Sequence, residues 1–288
     1  MKVAGFSFIR NAVKYGYPIT EALSSILDLC EVIYVAVGES DDDTLEIVKS
    51  LNPQKIKVIN TVWDSTLIEG GKVLADETNK ALKSIPMEYD WCIYIQGDEV
   101  LHEKDHQNIR NAMETYMGDE EVDGLLFDYL HFYGSFDYVA RATDWYRREI
   151  RVIKNNRNIY SYRDAQGFRK ENNEKLKVKK CHATVYHYGW VRPPQTMLDK
   201  IEAFHQLYGI DREIPQSHEG FDYGNVNLLQ RFTQTHPKYI QSRIDDKNWN
   251  FEQDISINKL SIIEKMRLYI EEKTGYIPGE YRNYRLLK

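Results

Sequence analysis

Short apolar runs alternate with amphipathic stretches through the first hundred residues, and this alternation constrains the fold most. Val3 to Ile9 predicts a first strand. Pro18 suits the first turn of a helix, where its missing N–H costs nothing. Leu23, Ile26, Leu27 and Cys30 give that helix an apolar face. Glu31 to Val37 predicts a second strand, too continuously apolar for a half-exposed sheet. The polar turn Gly38 to Thr44 caps a helix running to Leu51. Ile56 to Val62 predicts a third strand, and Lys72 to Lys83 a helix with Leu74, Thr78, Ala81 and Leu82 facing inward. The run from Asp90 to Gln96 is the fourth strand. Strands alternating with helices imply right-handed βαβ units, an α/β fold and a mostly parallel sheet flanked by helices.

The fourth strand ends abruptly in Gln96-Gly97-Asp98-Glu99. In an open α/β sheet, ligands bind just outside the carboxyl ends of the strands. A carboxylate there can hold a hard divalent cation, and Mg²⁺ typically takes one or two carboxylates plus substrate phosphates. Adjacent strand residues point to opposite faces, so Asp98 is assigned to the metal. Glu99 is left as a carboxylate behind the metal or on the acceptor side. Gln96 could offer a neutral oxygen or hydrogen-bond a ribose.

With these residues in place, the chain resembles the family 2 glycosyltransferases of the GT-A fold over residues 1 to roughly 190. The matching features are Asn11 after the first strand, Glu21 to Ile26 in the first helix, the Gly38 to Thr44 turn, Gly70-Gly71, Asn79, and Gln96 to Glu99. Two positions depart from the family pattern. Gln96 stands where the first Asp is usual, and Val37-Gly38 where a pair of Asp often meets the nucleotide. The base is therefore less well specified than the metal. The resemblance implies a UDP- or GDP-type nucleoside-diphosphate sugar as donor and a saccharide or lipid-linked acceptor. It also implies Mn²⁺ or Mg²⁺ as cofactor and inversion at the anomeric carbon. It makes His187, in Tyr186-His187-Tyr188-Gly189-Trp190, the late residue that completes the metal site. Imidazole is an acceptable ligand for Mn²⁺. His182 alternates onto the opposite face.

An inverting transfer needs a carboxylate to take the acceptor hydroxyl's proton. Asp164, between Arg163 and Ala165, is the candidate, with Asp137 and Asp144 as competitors. The alternative for Asp164 is an aspartate in a turn closed by Gly167. Gly70-Gly71-Lys72 lacks P-loop spacing, yet Gly71 can let the backbone approach a phosphate. Asp64, just past the third strand, could meet the uracil or guanine ring or simply cap a turn.

The chain of 288 residues carries a net charge of −6, which argues against general nucleic-acid binding. Residues 141 to 180 hold 13 Lys and Arg against 5 Asp and Glu, a local +8, which leaves −14 for the rest. Strand alternation would split these charges over two faces, so most are expected to be solvated, with a few among Arg147, Arg148, Arg151, Arg163 and Arg169 reaching a diphosphate or an acceptor. Cys30, Cys92 and Cys181 read as separate buried thiols of a reducing compartment. With no signal-like or spanning apolar run, a cytoplasmic protein with peripheral membrane contact left open is expected.

Further along, Asp105 to Met117 predicts a helix and Gly124 to Phe132 a strand. Ile150 to Lys154 and Ile159 to Tyr162 predict a hairpin about Asn155 to Asn158. Cys181 to Tyr188 predicts a strand, Pro193 to Tyr208 a helix, and Ile257 to Glu272 a last helix. The expected division is a nucleotide-sugar-binding half at 1–123, an acceptor-binding half at 124–210 and a mainly helical extension at 211–288. Two rivals share the scaffold. A nucleotidyltransferase would want more glycine than Arg10 to Gly16 offers. A non-catalytic nucleotide- or sugar-binding protein would show no metal-dependent donor hydrolysis.

Overall fold

The alternation is realised in β1 (Val3–Ile9), α1 (Ile19–Ile26), β2 (Val32–Gly38), α2 (Thr44–Leu51), β3 (Ile56–Thr61), α3 (Lys72–Lys83) and β4 (Trp91–Tyr94). The computed structural model describes residues 1–288 apart from Ile68, Thr143, Asp144, Asn225, Asn258 and Lys259, and apart from the side chains of Glu69 and Ile257. The strands β3-β2-β1-β4 lie side by side and are all parallel. The fold is α/β, with helices on both faces of the sheet. Ile33, Val35, Val37 and Ile93 pack with Leu23 and Ile26 of α1. Ala4, Phe6, Ala36 and Tyr94 pack with Val73, Leu74 and Ala81 of α3. The two sets alternate along each strand, which is the two-residue pleat sorting side chains to opposite faces.

After β4 the sheet turns mixed. β5 (Glu99–Leu101), α4 (His106–Thr115), β6 (Gly124–Tyr133), β7 (Tyr138–Ala140) and β8 (Arg148–Lys154) come next. β8 lies between β4 and β6 and is antiparallel to both. β9 (Tyr160–Tyr162), β10 (Gly167–Lys170) and β11 (Glu174–Lys175) form a separate small sheet. The expected hairpin across Asn155 to Asn158 is therefore not a hairpin. The two runs are adjacent in sequence, but β8 takes its partners from the central sheet and β9 pairs with β10. Asn155 accounts for the departure, because its amide donates to the carbonyls of Pro86 and Tyr89 and pins the turn to the main body.

β12 (Lys177–Trp190) then runs parallel to β6 and antiparallel to β5. It is followed by α5 (Pro194–Tyr208), which has Pro at its first position and ends at the left-handed Gly209. Residues 211–288 contain β13 (Gln216–Ser217), β14 (Gly220–Phe221), β15 (Leu229–Arg231), α6 (Gln241–Asp245), α7 (Ile262–Thr274) and β16 (Arg285–Leu286). α7 starts at Ile262, later than the expected Ile257. Ser261 and Glu264 form a reciprocal capping box there, which fixes the helix start.

Most of the basic block keeps contact with solvent, as expected, and three of its thirteen cations are internal. Arg147, Arg151 and Arg169 are buried. Arg169 donates to the carbonyls of Phe168 and Asn283, Arg148 pairs with Asp128 and Arg141 with Glu271. The three cysteines are free and buried. Among the described residues, no helix is long and apolar enough to cross a membrane.

Candidate functional site

β4 ends at Tyr94, and Asp98 sits in the turn before β5, at the carboxyl end of the parallel block. Its carbonyl accepts from the Tyr188 N–H of β12 at 2.8 Å, which ties the turn to that strand. Register then does the rest. On β12, His187 lies opposite Glu99 of β5 on one side and His131 of β6 on the other. Gly189 lets the pieces close: a Cβ there would stand 2.6 Å from the His187 ring and 2.9 Å from Asp98 Oδ2. Asp98 Oδ2 and His187 Nε2 come to 3.7 Å.

The two adjacent carboxylates have opposite fates. Glu99 is fully buried. Arg151 grips it in a fork, Nε to Oε2 at 2.8 Å and Nη2 to Oε1 at 2.7 Å. The Tyr129 hydroxyl donates to Oε1 at 2.8 Å and the Gln96 N–H to Oε2 at 3.1 Å. Arg151 also lies against the Tyr94 and Tyr129 rings. Glu99 is thus a strut, and an acceptor-side role is ruled out by its burial. Gln96 is likewise engaged, its amide donating to Tyr94 Oη and to the Ala165 carbonyl.

A hydrogen-bond chain sets the state of His187. His131 Nε2 lies 2.7 Å from the Tyr146 carbonyl, which can only accept, so that nitrogen carries a proton. Burial holds the His131 pKa well below its ordinary value, with His187 adding to the effect, so the ring is neutral and its Nδ1 is bare. His131 Nδ1 is 3.0 Å from His187 Nδ1. His187 must therefore donate from Nδ1. Burial also lowers the His187 pKa, against the opposing pull of Asp98 and Glu99. Its Nε2 thus presents a lone pair towards the Asp98 carboxylate.

Two cations share this carboxylate. Lys200 of α5 occupies the apolar stripe of its helix with Met197 and Phe204, and its Nζ lies 3.6 Å from Asp98 Oδ2 and 2.7 Å from the Gly189 carbonyl. Arg192, between β12 and α5, is 1% exposed, and its guanidinium lies 4.9 Å from the centre of the Tyr17 ring. Lys200 Nζ stands over the same ring at 5.2 Å. Burial pushes the Asp98 carboxyl up, but His187, Lys200 and Arg192 together hold it below the ordinary value. With His187 neutral, Arg192 and the protonated fraction of Lys200 carry that attraction at neutral pH. Burial, with Arg192 adding to it, brings Lys200 down to about 7.

The other candidates fall nearby or apart. Asp164 sits in a turn between two residues of positive φ, Arg163 (56°) and Ala165 (64°). That turn is tied to Gln96 through the Ala165 carbonyl, and burial, with Asp164 adding to it, raises the pKa of the Tyr208 hydroxyl. Gly71, at φ 69°, is covered by the Tyr208 ring, which a Cβ would meet at 2.6 Å. Gly71, Tyr208 and Asp164 thus form one group. Asp64 caps its own turn through one oxygen, Oδ1 accepting from the Thr66 N–H and hydroxyl. Asp137 accepts from Ser135, Asp144 lies outside the described residues, and His182 is exposed at a bulge of β12. Lys200, Arg192, Tyr17 and His131 were not foreseen. A lysine in the apolar stripe of α5 was the available signal for Lys200. No local pattern marks the other three.

No protein-family model matches this chain, and no curated protein matches it. Among solved structures, S. aureus TarS is similar at 15% identity over 71% of this chain and 39% of that one, with a TM-score of 0.42. S. aureus TarS 1-349 in complex with UDP is 16% identical over 72% of this chain and 65% of that one, TM-score 0.42. The mannosyltransferase PcManGT from Pyrobaculum calidifontis, in complex with GDP-Man and Mn²⁺, is 17% identical over 43% of this chain and 34% of that one, TM-score 0.33. This chain spans less than two thirds of the length of each.

Proposed function

We propose that this protein is a GT-A-type glycosyltransferase, family 2-like, that moves a sugar from a UDP- or GDP-type nucleoside-diphosphate sugar to a saccharide or lipid-linked acceptor. The observation that carries the proposal is the pairing of the Asp98 carboxylate with a bare His187 Nε2 at 3.7 Å, at the carboxyl end of the parallel strands. Two lone pairs facing each other across that distance favour a cation between them. Two ligand atoms at about 2.1 Å from one ion and at right angles lie roughly 3 Å apart, and more as the angle opens. The donor set therefore fits Mn²⁺ or Mg²⁺ held by Asp98 and His187, with the remaining positions left to diphosphate and water. Nitrogen ligation leans the choice towards Mn²⁺. Such an ion would neutralise charge on the departing diphosphate.

In this reading the acceptor hydroxyl oxygen bonds to the anomeric carbon as the carbon–oxygen bond to the diphosphate breaks. Asp164 takes the hydroxyl proton, its turn steadied by Gln96, and configuration inverts. Gly71 borders the same group. Asp64 would meet the base. Residues 1–123 would serve the donor, 124–210 the acceptor, with 211–288 as an extension, in a cytoplasmic protein with room for peripheral membrane contact.

The test is release of UDP or GDP from a panel of nucleoside-diphosphate sugars, with Mn²⁺, with Mg²⁺ and in EDTA. Metal-dependent release that Asp98→Asn abolishes is the expected result. If no donor is hydrolysed and no nucleoside diphosphate raises the melting temperature with either ion, the proposal fails.

A further inference from the structure

The buried charges around Asp98 do not balance. Glu99 and Arg151 neutralise each other completely. Among the described residues, Asp98 is the one carboxylate within 4 Å of Lys200 Nζ, at 3.6 Å, and the buried Arg192 has no carboxylate within 4 Å. An uncompensated buried cation is strongly unfavourable, and buried donors are nearly always hydrogen-bonded. Yet Nε, Nη1 and Nη2 of Arg192 are all buried without a hydrogen-bond acceptor among the described residues. Every polar atom of this guanidinium is unspent, although the Tyr17 ring holds its plane in place. Lys200 uses only part of its donor capacity, on the Gly189 carbonyl. The side chains of Asp98, His187 and Lys200 remain 11–14% exposed, so solvent reaches this corner of the cluster.

A planar donor fork beside an ammonium matches the oxygens of a phosphate or diphosphate. We propose that Arg192 and Lys200 form an anion seat that takes the diphosphate of the donor and binds it without a divalent cation. This deepens the glycosyltransferase reading and rests on it for the identity of the donor. The seat itself depends only on the two cations. It requires that removing the metal weakens diphosphate binding without abolishing it, because part of the countercharge is built into the chain.

The experiment is calorimetric titration of inorganic pyrophosphate into the full chain in EDTA, with UDP and GDP as parallel ligands. Wild type should bind pyrophosphate, and Arg192→Gln and Lys200→Met should each weaken it at least tenfold while thermal unfolding stays cooperative. If Arg192→Gln fails to fold, Lys200→Met decides alone. Wild-type binding only when Mn²⁺ or Mg²⁺ is present, or variants that bind as tightly as wild type, would overturn the seat. Pyrophosphate binding that is lost in the variants, with no response to any nucleoside diphosphate, would keep the seat and remove the glycosyltransferase reading. Nucleoside-diphosphate binding that needs Mn²⁺ and ignores both substitutions would remove the seat and keep that reading.

Discussion

Glu99 and Asp98 are neighbours in sequence, yet they anchor two unlike clusters of buried charge. Around Glu99 each carboxylate oxygen accepts from Arg151 and from one further donor, and the arginine is sandwiched by aromatic rings. Around Asp98 the side-chain nitrogens of Lys200 and His187 stand 3.6–3.7 Å away, longer than a hydrogen bond, and a buried guanidinium has no acceptor among the described residues. The first cluster is complete as it stands and locks β5, β6 and β8 together. The second is incomplete without a ligand. Unspent hydrogen-bonding capacity, more than the presence of acidic residues, separates a site from a strut.

The largest effect should follow from breaking the complete cluster. Arg151→Met leaves Glu99 buried and unpaired, and should lower unfolding free energy by about 3–5 kcal/mol in urea titrations. A loss below about 1 kcal/mol would mean that the fork is not holding the sheet.

Glu149, a buried carboxyl on β8, sharpens the contrast. Its Oε1 accepts from Gln166 at 2.8 Å, but its Oε2 has no partner among the described residues. Burial, opposed by Arg151, pushes its pKa up to about 8. The folded chain therefore keeps a proton that the unfolded chain releases near the ordinary carboxylate range. Stability should fall as pH rises from about 4.5 to 8, by as much as a few kcal/mol, and level off above that. Urea midpoints at pH 6 and 8.5 measure this, and Glu149→Gln should remove most of the difference.

Two smaller effects follow. Tyr129→Phe deletes one donor to a charged acceptor and should cost about 1.5–3 kcal/mol. His131→Phe removes the group that fixes the His187 tautomer. It should weaken Mn²⁺ binding by about 10–100-fold in a metal titration while leaving the fold intact. Unchanged Mn²⁺ affinity would detach His131 from the site.

The smallest change in stability belongs to Lys200→Met. One of two cations facing a single carboxylate is removed and replaced by an apolar group of similar length. Unfolding free energy should shift by less than about 1 kcal/mol in either direction. A loss as large as that for Arg151→Met would erase the distinction between the two clusters.

Much of the parallel block was legible, because its pattern is local. Strand β1 and helices α2 and α3 run over the spans that the apolar periodicity predicts, and β2, β3 and β4 fall within one or two residues of them. The second half was less so, because its pairings are distant. Nothing in Ile150 to Tyr162 tells that β8 will slot between β4 and β6 rather than fold back on β9. Asp98 and His187 were chosen from motif and resemblance, and the structure places them side by side. Arg151 was one undistinguished member of a basic block. Its partnership with Glu99 spans 52 residues and leaves no periodic trace. Arg192 lies in an irregular segment between a strand and a helix, where spacing carries no information about what a side chain faces.

The late position of β12 in the chain also bears on how the protein is made. His187 follows Asp98 by 89 residues and Lys200 follows it by 102. At about 5–20 residues per second, a growing chain displays the Asp98 turn for roughly 5–20 seconds before Lys200 has been added. During that interval β6 has an open edge where β12 will pair, the kind of unpaired backbone that invites association with other chains. The strut forms earlier, since Arg151 arrives about halfway through this delay. β16 pairs with the start of β12 later still. An incomplete chain can therefore be stiffened by Glu99 and Arg151 well before it can hold an anion, and partial chains should depend on chaperones most while β6 waits for its partner.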